Sequence, residues 1–493
     1  MTEQLPEPRR NSLLRRVDWR FLLGARDRPR ARVLASDETA AAVALAFDRE
    51  ESSAGAARVV VIDAPRRGAL AAAREALAPG GEVVCRSRVP LPGAARRTRR
   101  ALERAGFVDP RLYWPGPLPW HQPKFWLPLD CPDAAAHLLA QRPPGSRRQA
   151  LLRPLWRLAL RLGALAPVHA LARAPGGDPE ETRPPLLLLT GGERSINKVV
   201  GLPFDGAGIE PDAVIKFART PEADAALEHE TGVLRAVEAE RPSLGGVPRV
   251  ISDGTRAGRR ELVQTALHGR PLFTRLEPAT LPGLARQVTE MLIGLAGPAE
   301  PLPRERWWER LVGEPLADLG RDFGAVLGDE GLALARRILG DLGDLLSCPE
   351  HRDCSPWNVI LTPEGGPALL DWESAEPRGL PLLDLVYFLA NSVFRMEGAY
   401  GPGEARRAYA RLLDPATAIG AIAAECIGEY CSRLGLAEAE IPRLRLLCWV
   451  VHCRSDRRHL EMEAGGPPST EALRGAMFLG LVEEELRRAQ ERS

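Results

Sequence analysis

The spacing of apolar residues changes along this chain, and each change predicts a different kind of element. From Val17 onward, short apolar runs alternate with Ala-rich stretches. Arg32–Ala35 predicts a strand and Glu38–Phe47 a helix. The unbroken run Arg58–Asp63 predicts a buried parallel strand. Gly68–Leu77 predicts a helix, and Pro79-Gly80-Gly81 a turn into the strand Glu82–Cys85. Thr98–Ala105 predicts a helix stopped by Gly106, with a further strand from Phe107. Strands alternating with helices predict an α/β unit over residues 17–146. Residues 1–16 are polar and rich in Arg and Pro, and predict a loose arm.

The middle of the chain is less regular. Trp114, Trp120 and Trp126 lie among Pro115, Pro117, Pro119, Pro123 and Pro128. That pattern suits an extended connector along a domain surface; an aromatic lip for a sugar or a partner is the alternative. Between Arg147 and Arg173, Leu151, Leu155, Trp156 and Leu162 share an apolar face, while Arg153, Arg157 and Arg161 recur every fourth position. The segment predicts basic amphipathic helices that bridge two domains, or that touch a membrane surface. With the Pro- and Gly-rich stretch up to Pro185 it forms an expected linker, 147–185, and a domain boundary.

Beyond the linker, short apolar strands predominate: Leu186–Leu189, a return strand through Lys198–Val200, Ala213–Ala218, Val247–Ile251 and Glu261–Thr265. One helix, Ala223–Ala239, interrupts them. Residues 186–272 therefore predict a small β-rich lobe. Residues 273–493 turn to helical spacing, with helices over Leu281–Leu295, Arg304–Val312, Leu316–Leu327 and Leu332–Leu346, and again over 404–492.

Bulk composition narrows the function. A chain of 493 residues exceeds one ordinary core, and 45% hydrophobic with 27% charged residues is globular. A net charge of +1 offers no basic field, so nucleic acid is not an expected partner. No apolar run is long enough to span a membrane. The eight cysteines contain no C-x-x-C pair and there is no secretory signal, so reduced thiols in the cytoplasm are expected. Cys448, His452 and Cys453 could meet a metal, but burial on a helix is the simpler reading. Nearly all basic charge is Arg; the lysines are Lys124, Lys198 and Lys216.

The chemistry concentrates in His351-Arg352-Asp353-Cys354-Ser355-Pro356-Trp357-Asn358, followed by two apolar strands around a Gly-Gly turn and by Asp371-Trp372-Glu373. Phosphoryl transfer needs a hydroxyl held in line and Mg²⁺ held on phosphate oxygens. Asp353 is spaced to orient and deprotonate a hydroxyl. Asn358 and Asp371 supply hard oxygen ligands. This stretch resembles the catalytic loop and metal-binding strand of the aminoglycoside phosphotransferase and choline kinase-like family, relatives of the protein kinases.

The resemblance implies an α+β protein-kinase-like two-lobe domain, and it assigns further roles. Lys216 is the cation for the nucleotide's α and β phosphates. Glu230 is its partner, with Glu228 the second candidate. Ser195 and Asn197 lie in the loop over the phosphates, and Thr265 and Leu267 at the purine-binding hinge. His351 and Asp384 are structural supports of the loop. Arg352 is placed near the γ-phosphate, and Trp357 and Trp372 beneath the loop. The late polar cluster His452, Arg454, Asp456, Arg457, Arg458 and His459 either lines the acceptor site or is a solvated face.

A second resemblance covers residues 17–130. Leu77-Ala-Pro-Gly-Gly-Glu-Val-Val84 and Leu102-Glu-Arg-Ala-Gly-Phe-Val108 are similar to the second half of a class I methyltransferase, a Rossmann-like α/β domain. The turn after the first strand, Val33–Thr39, lacks the glycine that lets backbone approach the cofactor. A truncated, non-catalytic domain is therefore expected, with a docking or structural role and a protein partner through it. The functional expectation is transfer of the γ-phosphoryl group of ATP, or of GTP, with Mg²⁺, to a hydroxyl of a small molecule: a sugar, a glycoconjugate intermediate or an aminoglycoside-like alcohol. The rival readings are an inactive nucleotide-binding regulator and a bifunctional enzyme with active methyl transfer.

Overall fold

A computed structural model describes residues 7–35, 37–49, 56–86, 93–116, 123–140, 168–176, 184–191, 198–206, 208–298 and 301–492. The chain divides into two compact units. One comprises residues 1–231 with 250–266, the other 232–249 with 267–493.

The first unit is built on a sheet with twelve strands among the described residues. At one edge Asp48–Arg49, Arg30–Leu34, Ala57–Ile62 and Leu77–Arg86 run parallel. The helices Asp37–Ala46 and Arg67–Ala76 alternate with them in sequence. From Leu77–Arg86 onward every neighbour is antiparallel: His169–Arg173, Val108–Gly116, Phe125–Pro128, Leu186–Leu189, Lys198–Pro203, Ala213–Ala218, Arg259–Thr265 and Val250–Arg256. Two faces bury separate cores. Trp19, Phe21, Trp126, Leu171, Leu188 and Phe217 share one, and Val60, Leu70, Leu102, Leu112 and Ala172 share another.

Several expectations change here. The small lobe's strands continue directly into the N-terminal strands, because Leu186–Leu189 pairs with Phe125–Pro128 in register Phe125↔Leu189. An edge strand presents unpaired N–H and C=O groups, and pairing satisfies them. The expected linker 147–185 therefore falls within one sheet: 147–167 lies outside the described residues, and His169–Arg173, expected to end the basic helices, is instead a strand between Leu77–Arg86 and Val108–Gly116. The Pro79-Gly80-Gly81 turn lies inside the strand Leu77–Arg86, where Gly80 takes a φ of 72° and the ladder shifts register. The Trp-Pro segment is no surface connector over its described part: Trp114 and Trp126 lie in paired strands, and Trp126 is fully buried.

The second unit is mainly helical. Its long helices are Leu281–Ala296, Glu314–Gly340, Leu383–Glu397, Ala418–Leu434, Ile441–Ala464 and Met477–Arg492. Trp449 anchors their core, stacking on Phe478 at 5.9 Å and meeting Tyr409 edge-on at 5.2 Å. The helix expected over Leu332–Leu346 ends at Gly340, and Leu345–Leu346 forms a short strand with Pro301–Leu302. Glu314–Gly340 also breaks at Gly328, which adopts φ 73°. A hairpin, Val359–Leu361 with Pro367–Leu369, pairs Val359 with Leu369 and is extended by Arg270–Pro271.

Candidate active site

Each unit holds part of the expected machinery. In the first, Lys216 lies in the strand Ala213–Ala218, opposite Val200 on one side and Leu262 on the other. Its side chain is buried, and its ammonium pairs with Glu230 on the helix Pro221–Glu240, also buried. A buried ammonium is tolerated when a carboxylate compensates it. The alternative, Glu228, is exposed and pairs instead with Arg260 at 3.0 Å. Thr265 ends its strand opposite Ala213, and the division between units falls just after Ala266, so Leu267 opens the other unit. Ser195 and Asn197 lie outside the described residues.

In the second unit the loop from His351 to Asn358 is held by bonds that converge from nearby chain. Asp384, in the first turn of Leu383–Glu397, accepts the His351 N–H at 2.6 Å and the Arg352 N–H at 2.8 Å. The Asp353 N–H donates to His351 Nδ1 at 3.3 Å, which makes Nδ1 the acceptor and leaves the ring proton on Nε2. That nitrogen donates to the Leu370 carbonyl at 2.9 Å. The imidazole thus ties the loop to the strand that leads to Asp371. It also meets Trp372 edge-on at 4.8 Å.

Asn358 donates through Nδ2 to the Asp353 carboxylate at 2.6 Å and to the Asp353 carbonyl at 3.0 Å. The amide fixes the carboxylate and leaves its own side-chain oxygen as an acceptor. On the adjacent strand the Leu370 N–H donates to the Asn358 carbonyl at 2.8 Å, so the hairpin carries Asn358 and Asp371 on neighbouring chains. Asp371 adopts φ 66° and Arg352 φ 63°. Left-handed backbone at non-glycine residues is strained, and such strain gathers at functional sites.

The electrostatics are unusual for so small a region. Burial, with Glu350's like charge, pushes Asp384 up to about 7, against the pull of its two N–H bonds. Burial also raises Glu350, opposed by the Arg352 guanidinium 3.4 Å away. Arg352 thus spends its charge on Glu350. Burial pushes the Cys354 thiol well above its usual range, so it is no nucleophile.

The residues fit Mg²⁺. Its protein ligands are typically one or two carboxylate or amide oxygens, with phosphates and water completing the shell. Asn358 and Asp371 are such a set. Among the described residues there is no group of three or more His, Cys, Asp or Glu side chains suited to a dedicated cage. Cys448, His452 and Cys453 are buried: the Cys448 thiol donates to the Leu383 carbonyl, and the His452 ring stacks on Tyr387 at 3.8 Å.

Residues 204–419 match the model of the phosphotransferase enzyme family. The segment is a phosphotransferase domain. A comparison with curated proteins gives no match. Solved structures with similarity include the aminoglycoside phosphotransferase APH(3'')-Id from Streptomyces rimosus, at 19% identity and TM-score 0.34, covering 51% of this chain and 88% of that one. A thermostable mutant of APH(4)-Ia, in a ternary complex with AMP-PNP and hygromycin B, gives 16% identity and TM-score 0.37, covering 61% and 93%. APH(2'')-Ib with ADP gives 12% and 0.36, covering 62% and 93%.

Within the matched segment, one of the two tryptophans expected beneath the loop stands elsewhere. Trp372 is buried with its indole N–H on the Leu369 carbonyl at 3.1 Å, but Trp357 is 40% exposed. Trp357 follows Pro356, whose carbonyl accepts the Phe273 N–H, and its ring lies 6.3 Å from both Phe273 and Tyr400. Past the matched segment, the late polar cluster splits. His452 is buried, Asp456 accepts the Phe478 N–H at 2.6 Å, and Arg454 pairs with Asp318. The sequence reading missed Glu350, whose position just before the motif is its one signal, and it missed Arg219.

Proposed function

We propose that the chain transfers the γ-phosphoryl group of ATP to a hydroxyl of a small molecule, with a sugar or glycoconjugate intermediate as the acceptor class. The observation that carries this is the Asp353–Asn358 pair on a loop anchored at both ends, by Asp384 and by Leu370. The acceptor hydroxyl approaches Asp353, which orients it and takes its proton as the new O–P bond forms. The bond between the γ-phosphorus and the bridging oxygen breaks, and ADP departs. Asn358 and Asp371 hold Mg²⁺, which when bound neutralises charge on the phosphates. Lys216, steadied by Glu230, is the cation assigned to the α and β phosphates. His351 and Asp384 hold the loop.

The exposed faces of Trp357 and Tyr400 favour the sugar class, because aromatic faces pack against the apolar side of a ring. For residues 17–146 we infer a structural role: their strands complete the sheet that carries Lys216, and Val33–Thr39 offers no glycine for a cofactor. Calorimetric titration with S-adenosylmethionine tests this; saturable binding would sink it.

The test of the main reading is Mg²⁺-dependent turnover of ATP across a panel of sugars, glycoconjugates and aminoglycosides, with Asp353→Ala alongside. Acceptor-dependent ADP release, absent in the variant, is expected. Nucleotide binding without turnover on any acceptor would favour the regulator.

A further inference from the structure

Asp18, Arg20 and Arg219 form a buried network beside the strand that bears Lys216. The Asp18 and Arg219 side chains are completely buried. Arg219 Nε lies 3.1 Å from both Asp18 oxygens, and its Nη2 lies 2.9 Å from Oδ2, a forked pairing. The same Nη2 donates to the Thr190 carbonyl at 3.0 Å. Arg20 Nη2 donates to the Arg219 carbonyl at 2.9 Å, and its Nη1 reaches Asp18 and the carbonyls of Leu14 and Val17, each at 3.3 Å.

The placement gives the network its meaning. Arg219 follows the strand Ala213–Ala218 directly and precedes the helix that begins at Pro221. It is therefore the joint between Lys216 and Glu230. Thr190 directly follows the strand Leu186–Leu189. Phe21, next to Arg20, stacks on Phe217, next to Lys216, with centroids 4.7 Å apart. One carboxylate thus fixes a guanidinium that holds the end of the lysine strand and the end of the strand Leu186–Leu189 together. Burying this cluster costs desolvation, which packed apolar side chains would avoid. Its hydrogen bonds supply direction, and apolar contacts do not.

We propose that Asp18, through Arg219, is a positioning residue for nucleotide binding: it sets the strand of Lys216 in the geometry that receives phosphates. This rests on the reading of Lys216 as the phosphate-binding cation. A small displacement of such a group is enough to weaken a phosphate contact.

The test uses the full chain, as wild type, Asp18→Asn, Arg219→Lys and Lys216→Met. Binding of Mg-ATP is measured by calorimetry, and KM for ATP, KM for the acceptor and kcat by turnover. Asp18→Asn keeps the shape and removes the charge; Arg219→Lys keeps the charge and removes the fork, so it serves where Asp18→Asn does not fold. The expected result is a rise of about tenfold in Kd and KM for ATP, with acceptor KM unchanged. A merely structural role would lower the melting temperature and the active fraction without separating the two KM values. Folded variants that bind ATP as the wild type does, while Lys216→Met is weakened, overturn the positioning role alone. A wild type that binds no nucleotide, or a Lys216→Met variant that binds it normally, overturns the reading of Lys216 and this inference with it.

Discussion

The two candidate half-sites are assembled from chain at very different separations. The loop at Asp353 is held by Asp384, Leu370 and Asn358, and the most distant of these bonds spans 33 positions. The strand of Lys216 is held through Arg219 by Asp18, across 201 positions. The charges differ as well. Carboxylates are buried around the loop, at Glu350 and Asp384, whereas cations predominate beside the lysine strand, at Arg20 and Arg219. A local network is carried whole within one stretch of sequence. A distant one needs the rest of the sheet in place first, since it pairs residues whose approach must overcome loop-closure entropy.

The largest effect that sharpens this contrast is Asp353→Asn. The substitution keeps the shape and removes the base, so kcat falls by about 10²–10⁴-fold. Affinity for Mg-ATP, measured by calorimetry, stays unchanged. Asp384→Ala comes next. It strands the buried N–H groups of His351 and Arg352, at about 1–3 kcal/mol each. Urea denaturation reads the loss, and turnover falls with it, while KM for ATP holds. An Asp384→Ala variant that raised KM for ATP as much as Asp18→Asn would erase the separation between the two half-sites. Trp357→Ala is smaller: acceptor KM rises by about 2–10-fold through loss of the aromatic face. An unchanged acceptor KM would remove Trp357 from the acceptor contacts.

What the sequence disclosed follows the same contrast. The roles read around Asp353 depended on spacing within one motif, and the structure brings those residues together over short chain lengths. Lys216 and Glu230 were legible because an isolated Lys in an apolar strand precedes a helix with few suitable carboxylates. Asp18 was not legible as their support. In Val17-Asp18-Trp19-Arg20-Phe21 the charges alternate with large apolar residues, and nothing in that local pattern names a partner 201 positions away. Burial of both charges arises only when Arg219, just past the strand Ala213–Ala218, pairs with Asp18. The continuous sheet was hidden for a related reason. Strand pairing across Phe125 and Leu189 is a register between backbones, and a Pro-rich stretch gives no periodic signal of it. Trp357 was misplaced because a Trp inside a catalytic motif suggests packing, while neighbouring Trp372 takes the buried position.

The smallest effect concerns pH, where groups around the loop act in opposite directions. Asp384 is raised to about 7, chiefly by burial and then by Glu350. Between the usual carboxylate range and pH 7 the folded state therefore holds a proton that the unfolded state has lost, and stability falls as pH rises. His452 is lowered to about 3, by burial and by Arg352. Between about pH 3 and 6.5 the unfolded state holds the extra proton, so stability rises with pH. The two contributions, up to one proton each, offset one another from about pH 4 to 6.5. His452→Phe keeps a ring against Tyr387 and removes the titration. Its stability, from urea midpoints across that window, should decline with pH relative to wild type. Glu350→Gln removes the like charge beside Asp384 and should tilt the difference the other way. Profiles for both variants that run parallel to the wild type would show that neither buried carboxylate nor buried imidazole carries the shift, and that the loop is held without its electrostatic load.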